Sequence, residues 1–95
     1  MREYELAFIV NPNIEGEGVT QVVDKVSQLI KTGNGEVASI DVWGRRSLAY
    51  AIKDYKEGTY ILLKTTMPPA SLSEFERELK LTDQIIRYML IKADS

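Results

Sequence analysis

The sequence has 95 residues, of which 44% are hydrophobic and 27% charged, and its formal net charge is −2. This length and hydrophobic share predict one folded domain spanning 1–95 rather than a disordered chain. It contains no cysteine and no histidine, which excludes disulfides, thiolate zinc sites and histidine-based catalysis. No stretch approaches the ~20 apolar residues of a membrane span. We therefore expect a cytoplasmic protein without metal or cofactor.

The amino-terminal third predicts a strand followed by a helix. The strand covers 2–10 and ends at Asn11-Pro12-Asn13, because proline and asparagine favour turns. Apolar residues then recur at helical spacing from Val19 to Ile30, which predicts an amphipathic helix. Gly33 is expected to end this helix in the left-handed conformation.

The middle of the chain predicts a long β-hairpin. A second strand covers 36–43, with a bulge, because its apolar residues do not alternate strictly. We expect the chain to bend at Gly44-Arg45-Arg46, to continue extended over 47–52 and to turn through a polar loop over 54–58. A third strand follows over 59–67, rich in β-branched and aromatic residues.

The last third predicts a second helix and a final strand. Pro68-Pro69 ends the third strand. Ser71 and Glu74 have the spacing of a capping box, whose side chains satisfy free backbone donors of the first helical turn. The apolar stripe of this helix consists of Leu72, Phe75 and Leu79. The final strand covers 85–91, and a short polar tail follows over 92–95.

This element order predicts an α+β, ferredoxin-like βαββαβ sandwich. Right-handed crossovers place both helices on one face of a four-stranded antiparallel sheet of order 4-1-3-2. Function is then expected on the bare face, on the sheet edges or on the long hairpin. Strand alternation places a mixture of apolar and cationic residues on the bare face, which favours an interaction surface. These residues are Ile9, Tyr60, Leu62, Lys64, Arg87, Met89 and Ile91.

No residue pattern predicts a catalytic site. The acidic residues concentrate near the helix starts, where carboxylates interact favourably with the helix dipole. Gly16-Glu17-Gly18 precedes a helix, but its carboxylate would repel a phosphate, so it is not a phosphate-binding loop. We predict that the protein is not an enzyme and has no small-molecule substrate.

The basic pair Arg45-Arg46 lies between two aromatic residues, Trp43 and Tyr50. Arginine beside aromatic rings suits phosphate contact and base stacking in RNA recognition. The same residues suit a protein interface, where Trp, Tyr and Arg concentrate binding energy. The sequence leaves open whether these arginines meet RNA or a protein.

The segment from Gly44 to Lys53, GRRSLAYAIK, resembles the signature of the sixth protein of the bacterial small ribosomal subunit. The start MREYE, the NPN turn and Trp43 are also similar to that family, as are Met67-Pro68 and Arg87 with Lys92. The resemblance therefore covers nearly the whole chain. Ala51 departs from the family, which often has proline there.

The resemblance implies a heterodimer with the small, basic eighteenth protein of the same subunit and joint binding to the central domain of small-subunit ribosomal RNA. A basic partner would explain how a chain of net charge −2 binds RNA. The expected RNA-binding residues are Arg2, Lys64, Arg87 and Lys92, with Arg45 and Arg46 facing RNA or the partner. The expected partner-binding residues are Trp43, Leu48, Tyr50, Tyr60 and Leu62.

Two other functions are compatible with the same element order. A domain like an RNA-recognition motif would bind single-stranded RNA alone, but it needs aromatic residues on the central strands, and only Tyr60 is expected to face outward there. An acylphosphatase-like enzyme or a small-ligand regulatory domain is the third interpretation, and fold alone supports neither.

Overall fold

The computed structural model describes residues 1–93. The elements are β1 (Arg2–Val10), α1 (Glu17–Thr32), β2 (Glu36–Ile52), β3 (Tyr55–Met67), α2 (Leu72–Lys80) and β4 (Ile85–Lys92). The strands of this part of the chain form an antiparallel sheet of order β2-β3-β1-β4. The predicted ferredoxin-like fold and strand order are confirmed. Asp94 and Ser95, the end of the predicted polar tail, lie outside the described residues.

The hydrophobic core lies between the sheet and the two helices. Alternate residues of β1, from Tyr4 to Val10, are buried as predicted. They pack against the apolar stripe of α1, with Val26 and Ile30 fully buried, and against Phe75 of α2. Full burial of each such side chain contributes about 1.5–3 kcal/mol, so this layer fixes which sheet face remains bare.

The helix α1 ends at Gly33 as predicted, but the conformation expected there and the capping box expected at α2 are wrong. Asn34, with φ 65°, adopts the left-handed conformation, whereas Gly33 has φ −85°. Asparagine tolerates that conformation, so Asn34 instead of Gly33 is the left-handed residue after the helix. At α2, the Ser71 hydroxyl donates to the Pro68 carbonyl at 2.8 Å instead of capping the helix, because a 3₁₀ turn leads into α2. Glu74 forms an ion pair with Arg77 at 2.7 Å.

The hairpin of β2 and β3 is longer than predicted. The predicted bulge is confirmed, since the register shifts between Val37 and Ser39 and again around Trp43. The predicted loop over 54–58 is wrong, because β3 already begins at Tyr55. Lys53 and Asp54 make the turn, with φ 51° and 69°. Two positive φ angles are typical of type I′ turns, which match the twist of paired strands.

The distal half of this hairpin covers one end of the bare sheet face. At Gly58, β3 approaches β1 so closely that a Cβ atom on residue 58 would overlap Cγ2 of Ile9. Ile9 and Ile86 are only 8% and 5% exposed, although they lie outside the main core. The prediction that Ile9 is an exposed residue of the bare face is therefore wrong, because the hairpin covers it.

Candidate functional site

The bare face has a pocket beneath the hairpin, which we call the hairpin pocket. It has a volume of about 350 Å³ and lies between the hairpin and strands β1 and β4. Its lining includes Leu48, Tyr50, Tyr60, Ile9, Arg87 and Met89. An apolar pocket with a few polar groups is the usual form of a site that receives a partner's side chain or a ligand.

Tyr50 and Arg87 meet at this pocket. The Arg87 Nη1 atom donates a hydrogen bond to the Tyr50 hydroxyl at 3.2 Å. Arg87 is opposite Ile9 on β1, so the bond joins the hairpin to the far edge strand across the sheet. The sequence suggests different ligands for these two residues, RNA for Arg87 and a protein for Tyr50. The structure brings them together.

The opposite end of the bare face is acidic. Lys64 lies opposite Glu5 on β1. One pair further along the strands, Thr66 is flanked by Glu3 on one side and Glu36 on the other. Three carboxylates therefore surround one ammonium group. Four residues separate Lys64 from Tyr60 along β3, about 13 Å, so Lys64 and Arg87 do not form one patch.

Arg45 faces the helix side of the sheet. Its Nη1 atom lies 2.6 Å from Oε1 of Glu57, and its Nη2 atom lies 3.2 Å from Oε1 of Glu15. Nη2 also donates to the Pro12 carbonyl at 2.6 Å. The guanidinium thus joins the hairpin to the loop before α1, and most of its hydrogen-bonding capacity is used within the chain.

Arg46 faces the bare side of the sheet, at the edge strand β2. It lies opposite Gly58, and its Cζ atom is 5.7 Å from the centre of the Trp43 ring. The Trp43 Nε1 atom donates to Oδ2 of Asp41 at 2.9 Å. Asp41, Trp43 and Arg46 therefore form a continuous row, which we call the β2 edge row. Trp43 is 49% exposed, so its ring is accessible to a binding partner.

The remaining predicted partner residue, Leu62, connects these two features. It lies on β3 between Asp41 of β2 and Ala7 of β1, and it is half-buried. Tyr60 lies one outward position further along β3 and lines the hairpin pocket. The partner residues predicted from the sequence therefore form one continuous surface, from the β2 edge row to the hairpin pocket.

Arg2 and Lys92 lie away from this surface. Arg2 is opposite Met67 and Lys92 is opposite Tyr4, so both occupy positions of the helix-side alternation. They are close to each other on neighbouring strands, at the end of the sheet remote from the hairpin pocket. The four cations of the predicted RNA footprint are thus divided among three places: Arg87 at the hairpin pocket, Lys64 at the acidic end of the bare face, and Arg2 with Lys92 on the other side of the sheet.

Sequence reasoning missed two lysines at the outer edge of β4. Lys53 from the hairpin turn and Lys80 from the end of α2 line, together with Arg87, a groove of about 340 Å³ that we call the β4 groove. Nothing in the sequence pattern brings these residues together, because their proximity depends on the hairpin reaching across the sheet. The sequence could have indicated Lys53 if the hairpin turn had been predicted as the two residues Lys53 and Asp54.

Tyr88 lines both the hairpin pocket and the β4 groove, and its pKa is shifted. The Tyr88 hydroxyl donates to Oε1 of Glu76 at 2.9 Å. Burial, and then the hydrogen bond and charge of Glu76, raise the pKa of Tyr88 above its ordinary value. Within residues 1–93, no group of three or more carboxylates could hold a metal ion. No helix of that range is long and apolar enough to cross a bilayer.

Comparisons with known proteins agree on one family. The family described as Ribosomal protein S6 matches residues 3–92. A small ribosomal subunit protein bS6 from Moorella thermoacetica is 40% identical over 94 residues, covering 99% of this chain and 96% of the relative. A second bS6, from Heliobacterium modesticaldum, is 43% identical over 94 residues, covering 99% of this chain and 98% of the relative.

Solved structures give the same fold. The crystal structure of 30S ribosomal protein S6 from Thermotoga maritima has a TM-score of 0.90 at 30% identity, covering 96% of this chain and 86% of that one. The C-terminal domain of the MgtC protein from Mycobacterium tuberculosis has a TM-score of 0.63 at 17% identity, covering 98% of this chain and 88% of that one. The second likeness concerns the fold alone.

Proposed function

This chain belongs to the ribosomal protein S6 family, and from that premise we propose that it binds small-subunit ribosomal RNA as a heterodimer with the small, basic eighteenth protein of the subunit. As a member of this family it is a structural component of the small ribosomal subunit in the cytoplasm, and not an enzyme. The heterodimer and the RNA contacts are the parts that we propose.

The distribution of charge on the bare face carries the proposal. Its acidic end, with Glu3, Glu5 and Glu36, is complementary to a basic protein and repels phosphate. The remaining cations are few and divided, while RNA affinity grows with the number of phosphates neutralised. A chain of net charge −2 therefore needs a partner that supplies positive charge.

The surface from the β2 edge row to the hairpin pocket is the proposed partner site. Trp43 and Tyr50 are 49% and 66% exposed, and together with Tyr60 they offer aromatic anchors beside an open pocket. Such residues concentrate binding energy in protein interfaces. As the outer strand, β2 also has backbone groups open to a partner chain. Leu48 and Leu62 supply apolar contact between the anchors.

The proposed RNA contacts are Arg87 on the bare face, Arg46 at its edge, and Arg2 and Lys92 at the far end of the sheet. Lys64, which the sequence also suggested, lies among Glu3, Glu5 and Glu36 at the acidic end and is assigned to the partner-facing surface instead. Arginine and lysine bind phosphate oxygens in most protein–RNA contacts. Arg45 is assigned a positioning role instead, since Glu15, Glu57 and the Pro12 carbonyl already occupy its guanidinium.

RNA binding by this chain alone is a weaker alternative. In the described part of the central strands β1 and β3, Tyr60 is the one aromatic residue on the bare face. It lies partly beneath the hairpin. Base stacking on an open sheet needs aromatic rings that a base can approach from above, which this arrangement restricts.

The test is titration of the eighteenth protein into wild-type chain, Trp43→Ala and Tyr50→Ala, after circular dichroism has verified folding. Loss of a true anchor costs about 2 kcal/mol or more, roughly thirty-fold in affinity. Leu81→Ala is the matched control, because Leu81 is 64% exposed but follows α2 on the other side of the sheet. Wild-type affinity in both aromatic variants would refute the assigned interface.

A further inference from the structure

We propose that Lys53, Lys80 and Arg87 form a binding site for a phosphate group of the RNA backbone in the β4 groove. The proposal rests on the RNA binding proposed above. It deepens that function because it adds Lys53 and Lys80, at the outer edge of β4, to the residues that contact RNA. It extends the contact surface from the bare face around the outer edge of the sheet.

The β4 groove has an apolar floor and a cationic rim. Its floor consists of Leu79, Ile85 and Ile86, which are 1%, 4% and 5% exposed. Lys53, Lys80 and Arg87 are all exposed and reach the groove from three different elements: the hairpin turn, α2 and β4. A buried floor with exposed cations around it suits contact with a phosphate, which carries no sequence information.

The groove is lined by positive charge, whereas the whole chain has a negative net charge. Among the described residues, no carboxylate lines it, although the net charge of the chain is −2. Within residues 1–93, neither Lys53 nor Lys80 forms an ion pair, whereas Arg45 and Arg77 each pair with two carboxylates. A groove whose lining includes three cations and no carboxylate favours an anion such as phosphate.

The hairpin turn positions Lys53 at the groove. Its φ of 51° is in the left-handed region, which glycine and asparagine adopt more readily than lysine. The two-residue turn requires this conformation at both Lys53 and Asp54. In this turn, the conformation places an ammonium group at the tip of the hairpin, beside β4.

Arg87 connects the groove with the rest of the footprint. It lines both the hairpin pocket and the β4 groove. A guanidinium has five N–H donors, and only one of its nitrogens bonds to Tyr50. The remaining donors are available to a phosphate in the groove. Because β4 is an outer strand, an RNA strand can run along this edge without meeting another strand.

The test is RNA binding by the heterodimer carrying Lys53→Asn and Lys80→Gln, measured against salt concentration. Asparagine removes the charge yet accepts the left-handed backbone, so folding is preserved. We expect about ten-fold weaker binding, and a salt slope that falls by about one for each phosphate that the variant no longer neutralises. Affinity for the partner protein should be unchanged.

The matched control is Lys25→Gln with Lys31→Gln on α1, which makes the same change of net charge. It should keep wild-type RNA affinity. Wild-type RNA affinity in the Lys53/Lys80 variant, or an equal loss in the control, would overturn the phosphate site while leaving the proposed function intact. Loss of partner affinity in the Lys53/Lys80 variant would mean that the groove binds protein, which also overturns it. A wild-type heterodimer that does not bind the RNA would overturn the proposed function itself.

Discussion

Arg45 and Arg46 are adjacent in the sequence but lie on opposite faces of the sheet. Arg45 contacts Glu57 and the Pro12 carbonyl on the helix side. Arg46 lies against the Trp43 ring on the bare side. Strand alternation produces this division. The two cations of the hairpin signature therefore have different surroundings, one among carboxylates and one beside an exposed ring.

Replacing Arg45 and Arg46 one at a time should show that Arg45 contributes mainly to folding stability and Arg46 mainly to binding. Arg45→Ala removes a backbone hydrogen bond and two ion pairs of partly exposed groups, which we expect to lower the free energy of unfolding by about 1 kcal/mol. Arg46→Ala should change it by less than about 0.5 kcal/mol but weaken assembly with partner and RNA. Urea unfolding and titration measure the two quantities. The reverse pattern would contradict the division.

The Tyr50–Arg87 hydrogen bond should hold the hairpin against the sheet. Tyr50→Phe keeps the ring but removes the acceptor of Arg87. We expect amide hydrogens of 48–52 to exchange faster, by roughly five- to ten-fold, because removing a hydrogen bond costs about 1 kcal/mol of local stability. Tyr60→Phe is the control within the same pocket. Equal exchange in both variants would show that the bond does not restrain the hairpin.

Gly58 is expected to be required for the hairpin to cross β1. In Gly58→Ala the new methyl group would overlap Cγ2 of Ile9 and lie 3.0 Å from the Val10 carbonyl oxygen. Overpacking of this kind destabilises by about 1–3 kcal/mol. Ile9→Ala removes the overlapping atom, so the double variant should be more stable than the sum of the single effects predicts. Strict additivity in urea unfolding would contradict this account.

The raised pKa of Tyr88 should make stability depend on pH under alkaline conditions. The folded chain holds the phenol proton more tightly than the unfolded chain, mainly because of burial and then because of Glu76. This contribution is fully present below the ordinary tyrosine pKa of about 10 and is lost as the pH rises through the higher folded value. Tyr88→Phe should reduce the loss of stability between about pH 9 and 11. If urea unfolding shows the same fall in the free energy of unfolding with pH in Tyr88→Phe and in the wild type, this account is wrong.

The sequence predicted the elements whose pattern is local. The spacing from Val19 to Ile30 and the alternation of β1 both report a single buried face, and hydrophobic periodicity is the strongest signal that a sequence carries. Strand order followed from the crossover rule. The β2 edge row was anticipated because an edge position depends only on topology.

The predictions that failed concern features that depend on tertiary contacts. The burial of Ile9 results from the close approach of Gly58 and the hairpin residues above it, a contact between distant segments that strand alternation does not encode. Ser71 does not cap α2 as predicted, because its hydroxyl donates to the Pro68 carbonyl in the 3₁₀ turn that precedes the helix.

The central claim is that this chain and a basic partner bind small-subunit RNA jointly. The most direct measurement is the affinity of a central-domain RNA fragment for this chain alone, for the eighteenth protein alone and for their mixture, at one salt concentration. We expect weak binding by this chain and at least about ten-fold tighter binding by the mixture than by either protein alone. Equal affinity for this chain alone and for the mixture would contradict the claim.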